Sequence, residues 1–143
     1  MFSKMRWCFA ILVVVTLVLA ACGTPEPAQT EKLKVAFIYI GQPGDLGWTY
    51  EHERGRLMLQ EKLGDKVETV TVPDVPEGPD AEKAIRDVVD QGAKVVFATS
   101  FGYMDPMETV AKEFPEVYFE HCSGYKTAEN FSNYFGRIEQ PRY

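Results

Sequence analysis

The chain has 143 residues, of which 45% are hydrophobic and 25% are charged, and its formal net charge is -6. These fractions are typical of an ordinary globular domain and exclude a disordered or fibrous chain. No run of basic residues follows residue 30, so the sequence offers no electrostatic basis for binding nucleic acid. The three cysteines, Cys8, Cys22 and Cys122, lack the paired spacing of a disulfide framework or a zinc site, and we expect no metal and no cofactor.

The amino terminus combines two basic residues with an apolar run at 7–19, which is shorter than the roughly 20 residues of a membrane-spanning helix. The run leads into Leu-Ala-Ala-Cys, and small residues before Cys22 resemble the lipobox that lipoprotein signal peptidase recognises. We therefore predict a signal peptide at 1–21 and a lipidated tether at 22–33 that holds the domain on the outer side of a membrane. A plain secretory signal or an uncleaved anchor is the alternative, in which Cys22 has no special role.

The predicted elements begin with a strand at 34–40, whose nearly continuous apolar run is typical of a strand buried on both faces. A glycine-rich loop at 41–47 follows, and the next segment, 48–63, is predicted as a helix that Gly64 ends. This segment places apolar groups at Trp48, Met58, Leu59 and Leu63, which we expect on the apolar side of the helix. The alternating, β-branched segment 67–72 predicts the second strand.

A helix at 80–91 and a strand at 94–99 come next. The third helix is predicted at 105–114, with Asp105 as its cap, and strands follow at 116–121 and 131–135. Strands and helices alternate with short links, and right-handed crossovers then give a parallel sheet with helices on both faces. The sequence therefore predicts an α/β fold.

In such sheets, ligands bind beyond the carboxyl ends of the strands. The segments expected there are 41–48, 100–103, 121–125 and 136–137. They carry or adjoin six aromatic residues, Trp48, Tyr50, Phe101, Tyr103, Tyr125 and Tyr134. Aromatic faces with few charges are suited to a flat, partly apolar ligand, and Asp45 and Arg137 are candidates to bind its polar edge. The alternative is that several of these aromatics belong to the core.

Three motifs are more distinctive than the rest: GDLGWTYEHERG at 44–55, ATSFGY at 98–103 and YFGR at 134–137. They resemble the basic membrane protein family, whose members are lipoprotein receptors of ABC importers, many of them binding purine nucleosides or nucleobases. The resemblance extends over 34–143 and implies a type-1 periplasmic-binding-protein fold, in which two α/β lobes close on the ligand. It also implies a permease and an ATPase as partners.

The resemblance also implies roles for individual residues. Trp48 would stack on the base, Asp45 would accept hydrogen bonds from its NH groups, and Phe101 and Tyr103 would line the pocket. The full set of expected ligand-binding residues is Asp45, Gly47, Trp48, Thr49, Ser100, Phe101, Tyr103 and Arg137. A tryptophan in this loop favours a flat ligand, such as adenine, over a ribose-bearing one.

The implied fold has a second lobe, and this chain stops at Tyr143, close to where that lobe is expected to begin. We therefore expect 34–143 to hold the first lobe alone, as a fragment of a longer protein or the product of a truncated gene.

Other functions fit the sequence less well. The glycines at 41–47 lack the spacing of a dinucleotide fingerprint. An enzyme would have to use His52, Glu53 or His121, but His52 and Glu53 point about 100° apart on a helix and Cys122 has no base beside it, so we expect no catalytic residue. A lipoprotein that senses or scaffolds without transport is the remaining alternative.

Overall fold

The computed structural model describes residues 31–136. Its elements are β1 (Leu33–Ile38), α1 (Trp48–Leu63), β2 (Val67–Val72), α2 (Pro79–Asp90), β3 (Val95–Ala98), α3 (Met104–Glu113), β4 (Tyr118–Cys122) and β5 (Phe131–Tyr134). A short 3-10 turn, Phe101–Tyr103, leads into α3. The predicted signal peptide, the expected lipidation site Cys22, most of the predicted tether and Arg137 lie outside the described residues.

The five strands form one parallel sheet in the order β2-β1-β3-β4-β5. The α/β class predicted from the sequence is therefore confirmed. After β1 the chain moves to β2 on one side, and after β2 it crosses to β3 on the other side. The order thus reverses between β1 and β3, and the carboxyl ends of these two strands flank the crevice in which ligands of such sheets bind.

The main core lies on one face of the sheet, under α2 and α3. Ile85 and Val88 of α2 and Met107 and Val110 of α3 are almost completely buried there. The strand residues that meet them are Ala36, Ile38, Val96, Ala98, Phe119 and Phe131. Each large aliphatic side chain buried in this way contributes about 1.5–3 kcal/mol relative to an exposed one, so this layer contributes strongly to the stability of the fold.

Helix α1 lies on the opposite face, against β1 and β2. Two of the residues predicted on its apolar side do not face the sheet, since Met58 is 53% exposed and Leu63 is 40% exposed. Leu59 packs against the smaller cluster that contains Phe37 and Tyr39. A helix with so few aliphatic contacts needs other links to the sheet.

A polar network supplies those links. The hydroxyl of Tyr39 donates to Glu53 Oε2 at 3.0 Å, and Arg56 Nη2 donates to Glu53 Oε1 at 2.5 Å. Arg56 Nη1 also donates to the hydroxyl of Thr69 on β2 at 2.7 Å. The guanidinium holds the pKa of the Glu53 carboxyl below its usual value, and burial raises the pKa of Tyr39 above its own. Charged and polar groups therefore join α1 to both β1 and β2.

Helix α3 begins one residue earlier than predicted. Met104 is its first residue, so Asp105 lies inside the first turn rather than capping it, and its carboxylate pairs with Lys126 at 2.7 Å. The cause is the preceding 3-10 turn, which runs directly into the helix. Within residues 31–136 no helix combines the length and apolar character needed to cross a bilayer.

Candidate functional site

The carboxyl edge of the sheet carries a group of exposed aromatic side chains. Trp48 is 41% exposed, Phe101 56%, Tyr125 74% and Phe135 55%. They come from the loops after β1, β3, β4 and β5, so four separate segments deliver one aromatic ring each to the same edge. The rings of Phe101 and Tyr125 lie 6.5 Å apart. We refer to these four residues as the aromatic edge.

Trp48 lies at the carboxyl ends of the neighbouring strands β1 and β3. It is the first residue of α1, and its indole Nε1 donates to the main-chain oxygen of Thr99 at the end of β3, at 2.5 Å. The indole also packs 5.0 Å from the ring of His52, one turn along α1. Its polar atom is thus used inside the protein, and the exposed part of the ring offers an aromatic surface.

Asp45 caps α1. Its Oδ1 accepts from the N–H groups of Gly47 and Tyr50, and its Oδ2 accepts from the N–H of Thr49, all at 2.9 Å. These backbone donors lower the pKa of the carboxyl to about 2, with Gly47 making the largest contribution. A carboxylate has about four acceptor positions. The backbone at the start of α1 occupies three of them, although Asp45 itself is exposed.

The other expected residues of the first loop serve the same cap. Gly47 precedes α1 and donates to Asp45, and the side chain of Thr49 is fully buried beneath the helix. Both residues therefore shape the loop. A ligand contact by either stays a prediction.

In the loop after β3, Phe101 is exposed whereas Tyr103 is completely buried. The Tyr103 hydroxyl donates to the main-chain oxygen of Val75 at 2.5 Å, and burial raises its pKa. In this structure Tyr103 thus supports the loop from within, and its expected contact with ligand stays a prediction. Ser100 is partly exposed, and its hydroxyl donates to Glu77 at 2.5 Å.

A buried histidine lies directly beneath this loop. His121 Nε2 is 2.8 Å from the main-chain oxygen of Ser100, and Nδ1 is 3.3 Å from Asn133 Oδ1. Because a carbonyl oxygen can only accept, Nε2 carries the proton of the Ser100 bond. Burial lowers the pKa of His121 and favours the neutral imidazole. The histidine therefore holds the end of β3 in place from the core side.

An apolar groove of about 800 Å³ opens beside the aromatic edge, between α1 and the part of the sheet that α1 leaves bare. Its lining includes Phe37, Trp48, Leu59, Phe97, Cys122 and Tyr134. Burial raises the pKa of the Cys122 thiol, so the thiolate is disfavoured there. The groove shares Trp48 and Phe135 with the aromatic edge but offers a ligand few polar atoms. Among the residues the structure describes, no group of three or more side chains is arranged to hold a metal ion.

The sequence prediction of aromatic residues at this edge agrees with the positions of Trp48, Phe101 and Tyr125, whereas Tyr103 is buried and Phe135 is absent from the predicted set. The sequence prediction also gives no role to the loop after β2, whose Glu77 contacts Ser100. The signal available was the topology, because every loop that follows a parallel strand reaches the same edge. The prediction also did not foresee the groove, which depends on how far α1 extends over the sheet.

Comparison with known proteins gives a consistent result. The family described as "ABC transporter substrate-binding protein PnrA-like" matches residues 32–143. A purine-binding protein of Brucella abortus is 58% identical over 113 residues, which are 79% of this chain and 32% of that protein. A putative ABC transporter glucose-binding protein of Haloferax volcanii is 39% identical over 117 residues, covering 82% of this chain and 29% of that one. The chain thus spans about a third of the length of these curated relatives.

Among solved structures, a solute-binding protein of an ABC transporter system from Conexibacter woesei is similar with a TM-score of 0.63 at 22% identity. The similarity covers 72% of this chain and 35% of that chain. At this level of identity it supports the fold, and it agrees with a sheet that forms only part of a larger architecture.

Proposed function

The chain belongs to the PnrA-like family of ABC transporter substrate-binding proteins, and from this premise we propose that it binds a purine nucleobase or nucleoside at the aromatic edge. The membership confirms the resemblance seen in the sequence motifs. The observation that carries the proposal is the exposed ring of Trp48, which its bond to Thr99 holds at the carboxyl ends of β1 and β3, the same edge of the sheet that carries Phe101. The 58% identity to a purine-binding protein supports the same class of ligand.

The geometry suits a flat heterocycle that donates hydrogen bonds. The exposed face of Trp48 provides a stacking surface, and base–aromatic stacking contributes about 1–3 kcal/mol per base. Asp45 is an exposed carboxylate in the same loop, and it would accept a hydrogen bond from a ring or exocyclic N–H. Phe101 would bound the ligand on the β3 side, and Arg137, which lies outside the described residues, stays a candidate to bind the polar edge of the ligand.

The wider role we propose is import. The ligand would be passed to a permease driven by an ATPase, and the lipid on Cys22 would keep the protein outside the cytoplasm and close to that permease. A protein that only senses the ligand would bind it equally well, so uptake must be measured separately. Loss of labelled purine uptake on deletion of the gene is the result expected for an importer, and unchanged uptake would favour sensing.

Calorimetry on the full-length protein tests the ligand class. Adenine, adenosine, guanosine and inosine are titrated in turn, with glucose as a comparison because one relative is described as glucose-binding. We expect heat of binding from at least one purine and none from glucose. Binding of glucose alone, or of no purine at all, would reject the purine proposal.

A further inference from the structure

The loop that presents Phe101 is held by a carboxylate from a different loop. Glu77, between β2 and α2, accepts from the Ser100 hydroxyl at 2.5 Å and from the Gly102 N–H at 2.9 Å, both through Oε1. Since β2 and β3 both pair with β1 and not with each other, this link crosses over the end of β1. It therefore joins the two loops that flank the loop carrying Trp48.

The close approach of the carboxylate depends on Gly102. A β-carbon at that position would collide with Cδ of Glu77, so the glutamate fits against the glycine only because the side chain is missing. The two donors, Ser100 first, keep the pKa of the Glu77 carboxyl below its usual value, and it is therefore an anion at neutral pH. The bonds that it accepts are accordingly charge-assisted.

Phe101 is the residue between the two that Glu77 holds. On the core side, His121 Nε2 lies 2.8 Å from the Ser100 oxygen and Tyr103 donates to the Val75 oxygen. The turn is thus fixed at its start and at its end, while the ring of residue 101 is left 56% exposed. Fixing the backbone on both sides of one residue fixes the direction of its side chain.

We propose that Glu77 is a positioning residue for ligand binding, which acts by holding the Ser100–Tyr103 turn so that Phe101 faces the ligand. This inference rests on the proposed function, because it assigns Glu77 to the same site. Without the carboxylate, the turn samples other conformations, and the apparent affinity falls in proportion to the time it spends in the binding-competent one.

A double-mutant cycle with Phe101 separates positioning from direct contact. In Glu77→Ala, the Ser100–Tyr103 turn loses its hold. If it then adopts the binding-competent conformation about a tenth of the time, the Kd for the purine rises on the order of tenfold. Glu77→Gln keeps an oxygen acceptor and should restore the Kd to within about twofold of the wild type. In a Phe101→Ala background, Glu77→Ala should cause no further loss, since the ring that it positions is gone. An equal loss in both backgrounds would mean that Glu77 does not act through Phe101 and would overturn the proposal.

A second measurement needs no ligand and keeps this inference separate from the proposed function. The amide proton of Gly102 bonds to Glu77, so its exchange with solvent should be faster in Glu77→Ala and slow again in Glu77→Gln. Glu116→Ala is the matched control, because Glu116 is an exposed glutamate in the turn before β4, at the opposite edge of the sheet. Unchanged exchange at Gly102 in Glu77→Ala would overturn the positioning role even if purine binds. If no purine binds the wild type while the exchange behaves as expected, the ligand class fails and the hold of Glu77 on the turn is supported.

Discussion

The indole nitrogen of Trp48 donates to the main-chain oxygen of Thr99 at 2.5 Å, so the first residue of α1 is linked to the first residue after β3. Thr99 is itself fixed, because its hydroxyl donates to the Ile38 oxygen at the end of β1 at 3.0 Å. The ring is therefore oriented before any ligand arrives. A surface ordered in advance loses less conformational entropy on binding.

Trp48→Ala should weaken purine binding by about 1–3 kcal/mol, or roughly five- to 150-fold in Kd, because the stacking surface is removed. Trp48→Phe keeps an aromatic face but loses the bond to Thr99. We expect it to retain most of the affinity and to lose some thermal stability. This result would separate the effect of the aromatic ring on binding from the effect of the hydrogen bond to Thr99 on stability. Calorimetry for affinity and thermal unfolding for stability give both values.

The chain contains two tryptophans, Trp7 and Trp48. Cleavage before Cys22 would remove Trp7 and keep Trp48, which lies at the proposed site. Addition of a purine should then change the tryptophan fluorescence with the same midpoint as the calorimetric titration. A ligand that binds by calorimetry without altering this emission would place the binding site away from Trp48.

The cap formed by Asp45 predicts a specific response to acid. Its folded pKa of about 2 lies below the ordinary 3.8, so the ionised carboxylate stabilises the folded state fully above about pH 4, and this contribution is lost as the pH falls through 2. Asp45→Asn replaces one oxygen by an amide nitrogen that faces backbone donors. The difference in Tm between wild type and variant should be constant down to about pH 4 and should narrow towards pH 2.

Asp65→Asn is the control for that measurement, since Asp65 is an exposed residue in the turn between α1 and β2. It should leave Tm nearly unchanged at every pH. If the difference in Tm between wild type and Asp45→Asn stays constant down to pH 2, the charge of Asp45 is not what stabilises the start of α1.

The success of the sequence prediction differs between the two layers of helices. Helix α2 places Ala81, Ile85, Val88 and Val89 on one buried face, which is the spacing that a 3.6-residue period predicts. Helix α1 has the predicted ends, and Leu59 packs against the sheet, but Met58 is exposed and the largely buried pair Glu53 and Arg56 supplies most of the remaining links. Hydrophobic period alone cannot reveal a helix attached by a polar network, since the partners Tyr39 and Thr69 come from strands distant in sequence.

This network predicts unequal effects for two neighbouring arginines. The side chains of Arg56 and Glu53 are only 14% and 17% exposed. Arg56→Ala leaves the largely buried carboxylate of Glu53 without its cation, and this should destabilise the fold by about 1–3 kcal/mol. Arg54 pairs with Glu51 at the surface, where the two side chains are 59% and 62% exposed. Arg54→Ala should therefore lower the free energy of unfolding by about 0.5 kcal/mol or less. Urea unfolding of both variants provides the comparison. Equal losses would mean that the network does not attach α1 to the sheet.

Tyr103 offers a test of whether a residue of the expected site supports the fold or contacts the ligand. Its hydroxyl donates to the buried main-chain oxygen of Val75, and Tyr103→Phe leaves that oxygen without its donor. Such a buried group costs about 1–3 kcal/mol, so the free energy of unfolding should fall by that amount. Tyr118→Phe is the matched control, because Tyr118 is 62% exposed and its substitution should change neither stability nor affinity.

Affinity distinguishes the two roles of Tyr103. Because its side chain is completely buried and Glu77 holds the turn from the outside, the purine Kd of Tyr103→Phe should stay within about threefold of the wild type. A large loss of affinity at unchanged stability would instead mean that the turn opens on binding and brings the Tyr103 hydroxyl to the ligand. In that case the Glu77 bonds to Ser100 and Gly102 would have to break when the ligand binds, and exchange at the Gly102 amide would rise rather than fall on addition of purine.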